Sequence, residues 1–152
     1  MIRQATTGDI QAIRRCAQLA YARFVPLIGK APAPMVADFA ALIAAGEVFV
    51  AEDRQGGLDG FIVFRSQGGR MLLENVAVRP DRSGRGIGGS LIRHCEAAAW
   101  EAGCASVELY TNAKMTGNLT LYPQLGYVET GRRHEDGFDR VYFEKRLGAG
   151  DK

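Results

Sequence analysis

Residues 76–91 read Val-Ala-Val-Arg-Pro-Asp-Arg-Ser-Gly-Arg-Gly-Ile-Gly-Gly-Ser-Leu, and no other stretch limits the fold so strongly. The apolar start predicts the end of a buried strand. Downstream, Ile87, Leu91, Ile92, Cys95, Ala98, Ala99 and Ala102 recur on one face of a helix that Gly103 stops. Between strand and helix, Gly84, Gly86, Gly88 and Gly89 fall within six positions, more than a tight turn requires. Glycines allow positive φ and close approach of the backbone to a ligand. The unpaired N–H groups and dipole of the first helical turn attract an anion. Arg79, Arg82 and Arg85 flank the loop and can add charge-assisted bonds to further phosphates. The unit therefore reads as a phosphate-binding strand–loop–helix; the competing reading is a plain turn with solvated arginines.

Gly84, Gly86 and Gly89 also spell G-x-G-x-x-G, and Glu108 follows about 20 residues on, as in a dinucleotide fold. Residues 79–83 nevertheless separate the strand from the glycines, and an antiparallel meander precedes the unit. Too little chain remains for a doubly wound sheet. A Walker A loop is excluded because no Gly-Lys-Ser/Thr follows.

Around this unit the pattern predicts a short strand at Ile2–Ala5 and a helix capped by Thr7 or Asp9, with Ile10, Ile13, Ala17, Ala20/Tyr21 and Phe24 on its buried face. A second, shorter helix is marked by Met35/Val36, Phe39 and Leu42/Ile43 and ends near Gly46. Val48–Ala51 and Phe61–Phe64 form a hairpin about the Asp53–Gly57 turn, and Met71–Val78 is the next strand. A strand through Val107, Leu109 and Tyr110, a helix from Met115 to Leu125, and strands Tyr127–Gly131 and Phe138–Leu147 complete the order β-α-α-β-β-β-α-β-α-β-β. This is an α+β (mixed α/β) domain: a central, largely antiparallel sheet of about seven strands flanked by about four helices. Residues 1–147 are expected to form that single domain and 148–152 a frayed tail.

Composition closes off several function classes. Nineteen Lys and Arg against seventeen Asp and Glu give a net charge of +2, so bulk electrostatics does not point to nucleic acid. Cys16, Cys95 and Cys104 form no Cys-x-x-Cys pair, and His94 and His134 lack ligand spacing, so neither a disulfide framework nor a metal site is expected. No apolar run approaches the ~18 residues of a membrane span, and the N-terminus lacks the apolar core of a signal peptide. A cytoplasmic protein in a reducing compartment is the expectation. Trp100, beside Glu101 on the central helix, leaves a homodimer contact open.

A second segment, Leu121-Tyr122-Pro123-Gln124-Leu125-Gly126-Tyr127, reads as a helix that gives way to a strand; Leu121 stands 35 positions after Gly86. Together the two segments resemble the GNAT-type N-acetyltransferases. That family's loop motif is Gln/Arg-x-x-Gly-x-Gly/Ala after a strand ending in Val-x-Pro, and its late signature is Leu-Tyr-x-x-Leu-Gly-Phe. Val78-Arg79-Pro80 and Gly86-Ile87-Gly88 fit the first, with Ser83 at the Gln/Arg position as a departure, and the resemblance extends along nearly the whole chain.

The resemblance implies an enzyme that moves acetyl from acetyl-CoA to a primary amine of a small molecule or peptide by direct attack in a ternary complex; a cytoplasmic protein with no metal, nucleic-acid or membrane partner remains the expectation from composition. A non-catalytic acyl-CoA-binding regulatory module is the alternative. The strand through Val76, Ala77 and Val78 is expected to splay from its neighbour near Val107–Tyr110, so that a backbone N–H at Val76 or Val78 polarises the thioester carbonyl. Arg82, Ser83, Gly84, Arg85, Gly86, Ile87, Gly88 and Gly89 would take the pyrophosphate and further phosphates. Tyr122 stands where the family's general acid to the thiolate often lies, and Asn118, at i, i+4 from it, could bond the CoA arm. A Lys-like amine has a pKa near ~10.4 and must lose a proton. Glu74, an acid within an apolar run, is the candidate base, and strict alternation puts it on the face of Val76 and Val78. The acceptor side is expected to come from residues 24–39 and from a turn at Arg132–Phe138; the acceptor itself is not legible.

Overall fold

The computed structural model describes residues 1–148, so most of the expected tail lies outside the described residues. Strands β1 (Ile2–Gln4), β2 (Val48–Glu52), β3 (Leu58–Gln67), β4 (Arg70–Val78), β5 (Ser106–Asn112), β6 (Val128–Glu135) and β7 (Phe138–Arg146) form one sheet in the order β1-β2-β3-β4-β5-β7-β6. Every neighbouring pair is antiparallel except β4 with β5. Helices α1 (Ile10–Tyr21), α2 (Val25–Ile28), α3 (Phe39–Ala44), α4 (Ile87–Glu101) and α5 (Thr116–Gln124) cover its faces. This is the expected α+β architecture, with one extra helix.

Two apolar layers hold the sheet. On one face Ile13, Cys16, Ala17 and Tyr21 of α1 and Phe39 and Ile43 of α3 pack on Val48, Val50, Phe61, Val63 and Ala77. On the other, Leu91, Ile92, Cys95 and Ala99 of α4 and Tyr122 of α5 pack on Ile62, Met71, Leu73, Val107, Leu109, Val141 and Phe143. The 3.6-residue spacing of both long helices sends those residues inward. Asp9 occupies the N-cap position of α1, but its carboxylate accepts from the Thr6 backbone N–H (2.8 Å) and pairs with Arg3 (2.9 Å), which holds its carboxyl down at about 2. All three cysteines are buried and unpaired, and burial pushes the Cys16 thiol up to about 12.

The departures from the pattern have local causes. Residues 25–28 add a short turn of helix that Gly29 ends at φ +90°. The second expected helix begins only at Phe39. Ala33–Val36 is a separate 3₁₀ turn, Ala37 is extended, and the Asp38 side chain caps α3 by accepting from the Ala41 N–H. β6 runs on to Glu135, so Arg132–Glu135 is strand rather than loop. The connection to β7 is the two-residue turn Asp136-Gly137, both with positive φ, the geometry that Asp-Gly favours in hairpins. Pro123 falls in the last turn of α5, where Leu125 N–H bonds back to Leu121 and Tyr122 carbonyls.

Candidate active site

The parallel pair β4–β5 is stitched only at its start, where Arg70, Met71 and Leu72 face Ser106, Val107 and Glu108. Beyond that point the strands part. In the same stretch the β3–β4 register slips: Val63 faces Asn75 but Phe64 faces Leu73, so Glu74 is the extra residue of a bulge. A bulge re-aims the strand and commonly ends pairing on one side. The N–H of Arg79 donates to Asp59 O at 2.8 Å, which fixes the phase of the antiparallel ladder. Bonded pairs alternate, so Ala77 and Asn75 also turn their main chain to β3, and Val76 and Val78 turn theirs into the gap. The expected splay and its free backbone groups are present.

The bulge corrects one sequence expectation. Glu74 does not share a face with Val76 and Val78. It pairs with Arg65 on the α1–α3 side of the sheet, the side toward which Asn75 also points, whereas Val76 and Val78 pack against the layer under α4. Alternation fails because the extra residue shifts the pleat by one position.

The Gly-rich segment follows β4. Pro80–Arg82 makes a 3₁₀ turn closed by Ser83 Oγ donating to Pro80 O (2.9 Å). Gly84 and Gly86 have φ of +79° and +77°, with open space where a Cβ would stand, so backbone conformation is what demands glycine there. The first α4 bond runs from Ser90 N–H to Gly86 O, leaving the N–H groups of Ile87, Gly88 and Gly89 at the helix mouth. Arg85 is exposed beside it. Arg82 is not free for a phosphate: it is turned to Asp59 at the start of β3 (3.4 Å) and Asp53 of the β2–β3 connection (3.8 Å), and Arg79 is forked onto Asp81.

From this mouth a cavity of about 250 Å³ runs past Ser83, Gly88, Ala77 and Val78 to Val76, Asn118 and Tyr122. A narrower cavity of about 50 Å³ lies between Pro32–Pro34, Glu74, Tyr110, Phe138 and Arg140. Both are lined by Tyr21, Val76, Asn118 and Tyr122, so they meet there. Tyr122 is 4% exposed and edge-on to Tyr127 at 5.6 Å. Its hydroxyl bonds no group among the described residues, and burial pushes its phenol well above the ordinary range. Asn118 Nδ2 donates to Thr111 Oγ1 (3.0 Å), leaving its amide oxygen to accept from a ligand. Ala77 itself faces the α1 side and contributes backbone to the cavity.

Three residues lining the narrower cavity escaped the sequence reading. The Tyr21 hydroxyl donates to Asn75 Oδ1 at 2.7 Å and lies 3.1 Å from Val76 O. Asn75 Nδ2 donates to Pro34 O (3.0 Å), tying the acceptor-side loop to the bulge. Tyr21 looked like an ordinary core position of α1; a buried Asn inside an apolar strand was the available signal. Arg140, facing Asn112 across β5–β7, carried no local signal.

The sheet is thus opened between two parallel strands, with a helix N-terminus at one end of the gap and two cavities meeting within it. Residues 44–129 match the acetyltransferase (GNAT) domain family, more than half of the 152 residues, and the chain belongs to that family. It is by membership an acetyl-CoA-dependent N-acetyltransferase. Its fold is shared with the ribosomal-protein-S18-alanine N-acetyltransferase of Escherichia coli (23% identity, 98% of this chain and 96% of that one, TM-score 0.78). It is shared also with Ard1 of Thermoplasma volcanium (19%, 97% of each chain, TM-score 0.77). A third match is the PaiA N-acetyltransferase of Thermoplasma acidophilum solved with coenzyme A (15%, 97% and 98%, TM-score 0.73). No curated protein sequence matches. Among the described residues no helix is long and apolar enough to cross a membrane, and no group of three or more His, Cys, Asp or Glu is placed to hold a metal ion.

Proposed function

We propose that residues 1–147 work as one domain that transfers acetyl from acetyl-CoA to a primary amine by direct attack within a ternary complex. The observation that carries this reading is the meeting of the two cavities at Val76, Asn118 and Tyr122, which lets donor and acceptor reach one point. Such an arrangement turns a bimolecular encounter into a positioned one.

In this reading the N–H groups of Ile87, Gly88 and Gly89 bind the pyrophosphate, assisted by the Gly84 and Gly86 turns, Ser83 and Arg85. The main-chain groups that Val76 and Val78 turn into the gap, other than Val76 O beside the Tyr21 hydroxyl, pair with the pantetheine arm, and an N–H there stabilises the oxyanion as the amine nitrogen attacks the thioester carbon. Asn118 accepts from the arm through its amide oxygen. As the C–S bond breaks, the sulfur takes the Tyr122 phenolic proton, and the nitrogen, cationic after its attack, gives up its second proton to restore the phenol, whose burial favours the protonated form. Glu74, held by Arg65 at the acceptor cavity, receives the proton of the incoming ammonium through water. Arg82 acts at a distance, fixing the 80–82 turn through Asp53 and Asp59.

Thermal shifts with acetyl-CoA, CoA and NAD, followed by thiol release across an amine panel, test the proposal. Stabilisation by acetyl-CoA and CoA together with amine-dependent thiol release is expected; a ligand at a hundred times its Kd contributes about 2.7 kcal/mol. Binding without release for any amine overturns it.

A further inference from the structure

The acceptor cavity ends on an unusual arginine. Arg140 is 8% exposed, and its guanidinium carbon lies 4.3 Å from the Tyr110 ring centre and 5.6 Å from that of Phe138, which fixes the plane of the group. Only Nη1 is used: it donates to Glu135 Oε1 (3.3 Å) and Asp136 Oδ2 (3.1 Å). Nε and Nη2 donate to no group among the described residues. Neither is among the buried side-chain atoms without a hydrogen bond in the described chain, which are Asp59 Oδ1 and Arg82 Nε, an ion pair at 3.4 Å. Arg140 therefore presents to its surroundings the Nε–Nη2 edge, the side of a guanidinium that takes a carboxylate with two parallel bonds.

The carboxylates at this mouth already accept from neighbouring side chains. Glu74 is held by Arg65, Glu135 and Asp136 by Arg140, and Asp139 by His134 at 2.7 Å, while Lys30 Nζ stands 4.2 Å over Phe138. A polycationic amine would have to displace these donors from the carboxylates. An anion finds an ordered, partly unsatisfied guanidinium. Asp136 is, moreover, the one non-glycine residue with positive φ (+55°) among the described residues, and its side chain is 78% exposed. It holds a carboxylate on Arg140 from the tip of the hairpin, as a resident competitor for that cation.

We propose that Arg140 reads a carboxylate on the acceptor, so that the amine acetylated is one that also carries an acid, in the first place a free amino acid. This rests on the acetyl-transfer reading above. Such an acceptor lies in the narrower cavity with its amine toward Val76 and Tyr122 and its carboxylate on the Nε–Nη2 edge.

The test compares free amino acids with their primary amides, as kcat/KM per unconjugated amine, in the wild type, Arg140→Gln, Arg140→Lys and Asp136→Asn, with the acetyl-CoA thermal shift confirming a folded, donor-binding protein. The wild type should prefer the acid. The acid-to-amide ratio should fall about tenfold or more in Arg140→Gln, the usual weight of a hydrogen bond to a charged group, and be partly kept in Arg140→Lys. It should rise roughly two- to fivefold in Asp136→Asn, since removing an exposed competing charge is a small effect and asparagine tolerates positive φ. Dipeptide amides beginning with Asp or Asn separate the sources: an Arg140-dependent preference for the Asp peptide over free amino acids supports carboxylate reading and moves the carboxylate to a side chain. Equal use of acid and amide, or a ratio indifferent to Arg140, overturns this inference and leaves the acetyltransferase reading standing. Absence of thiol release with every amine overturns both.

Discussion

The two cavities that meet at Tyr122 are built by different means. The donor side is mostly main chain: the open edge of β4 at Val76 and Val78, positive-φ glycines at 84 and 86, and the N-terminus of α4. The acceptor side is side chains from distant parts of the chain, namely Tyr21 from α1, Glu74 and Asn75 at the bulge, Tyr110 from β5 and Arg140 from β7. Backbone recognition depends on conformation and tolerates most side-chain changes outside the glycines. Side-chain recognition depends on packing and paired charges, and can be re-specified one residue at a time. One fold can thus keep a donor while changing acceptors.

That contrast can be broken at several points. The largest effect is expected from Tyr122→Phe at the junction: turnover should fall ~10²–10⁴-fold, the usual weight of a general acid, while acetyl-CoA affinity and stability hold because the ring keeps its place against Tyr127 and Phe143. Wild-type turnover should show no descending limb from this phenol up to and beyond its ordinary value near ~10, since burial raises it and the acid form is the active one. Wild-type turnover by a folded Tyr122→Phe makes the residue structural. Glu74→Gln comes next, with a loss of about tenfold in turnover, greatest below the pKa of the amine; a pH–rate profile superposable on the wild type removes Glu74 from proton transfer.

Tyr21→Phe should act mainly on the acceptor side, although the ring lines both cavities. It deletes the bond to Asn75 Oδ1, costs about 1–2 kcal/mol of stability in a denaturant titration, and raises KM for the amine more than that for acetyl-CoA. A rise in the acetyl-CoA KM instead makes Tyr21 part of the donor site. The smallest effect is on the charged rim of the donor side, where Arg85→Ala should weaken CoA a few-fold, by about 1 kcal/mol or less for an exposed pair, and dephospho-CoA less. Arg82→Ala should leave that difference alone, because Arg82 is committed to Asp53 and Asp59.

The same division explains how much could be read in the sequence. The donor side is contiguous from Val76 to Leu91, and its requirements for φ and for an unobstructed helix N-terminus demand glycine, so it is visible as a motif. The succession of strands and helices along the chain followed from alternation and turn chemistry, and α4 from its apolar spacing. What failed was non-local. The bulge at Glu74 is set by how β4 must pass both β3 and β5, and it inverted the face predicted for that residue. Arg82 sits among glycines in sequence, but the 80–82 turn delivers it to two carboxylates more than twenty positions away. Tyr21, Asn75 and Arg140 converge only once the sheet has formed.

The central claim is that acetyl-CoA enters along the open edge of β4 and rests its pyrophosphate on the mouth of α4. Amide hydrogen exchange with and without saturating acetyl-CoA, resolved by residue, tests it most directly. Protection should appear at Val76 and Val78 and at Ile87–Gly89, with little change across Arg132–Gly137. The claim is contradicted if acetyl-CoA stabilises the protein yet leaves those five amides exchanging as in the free chain.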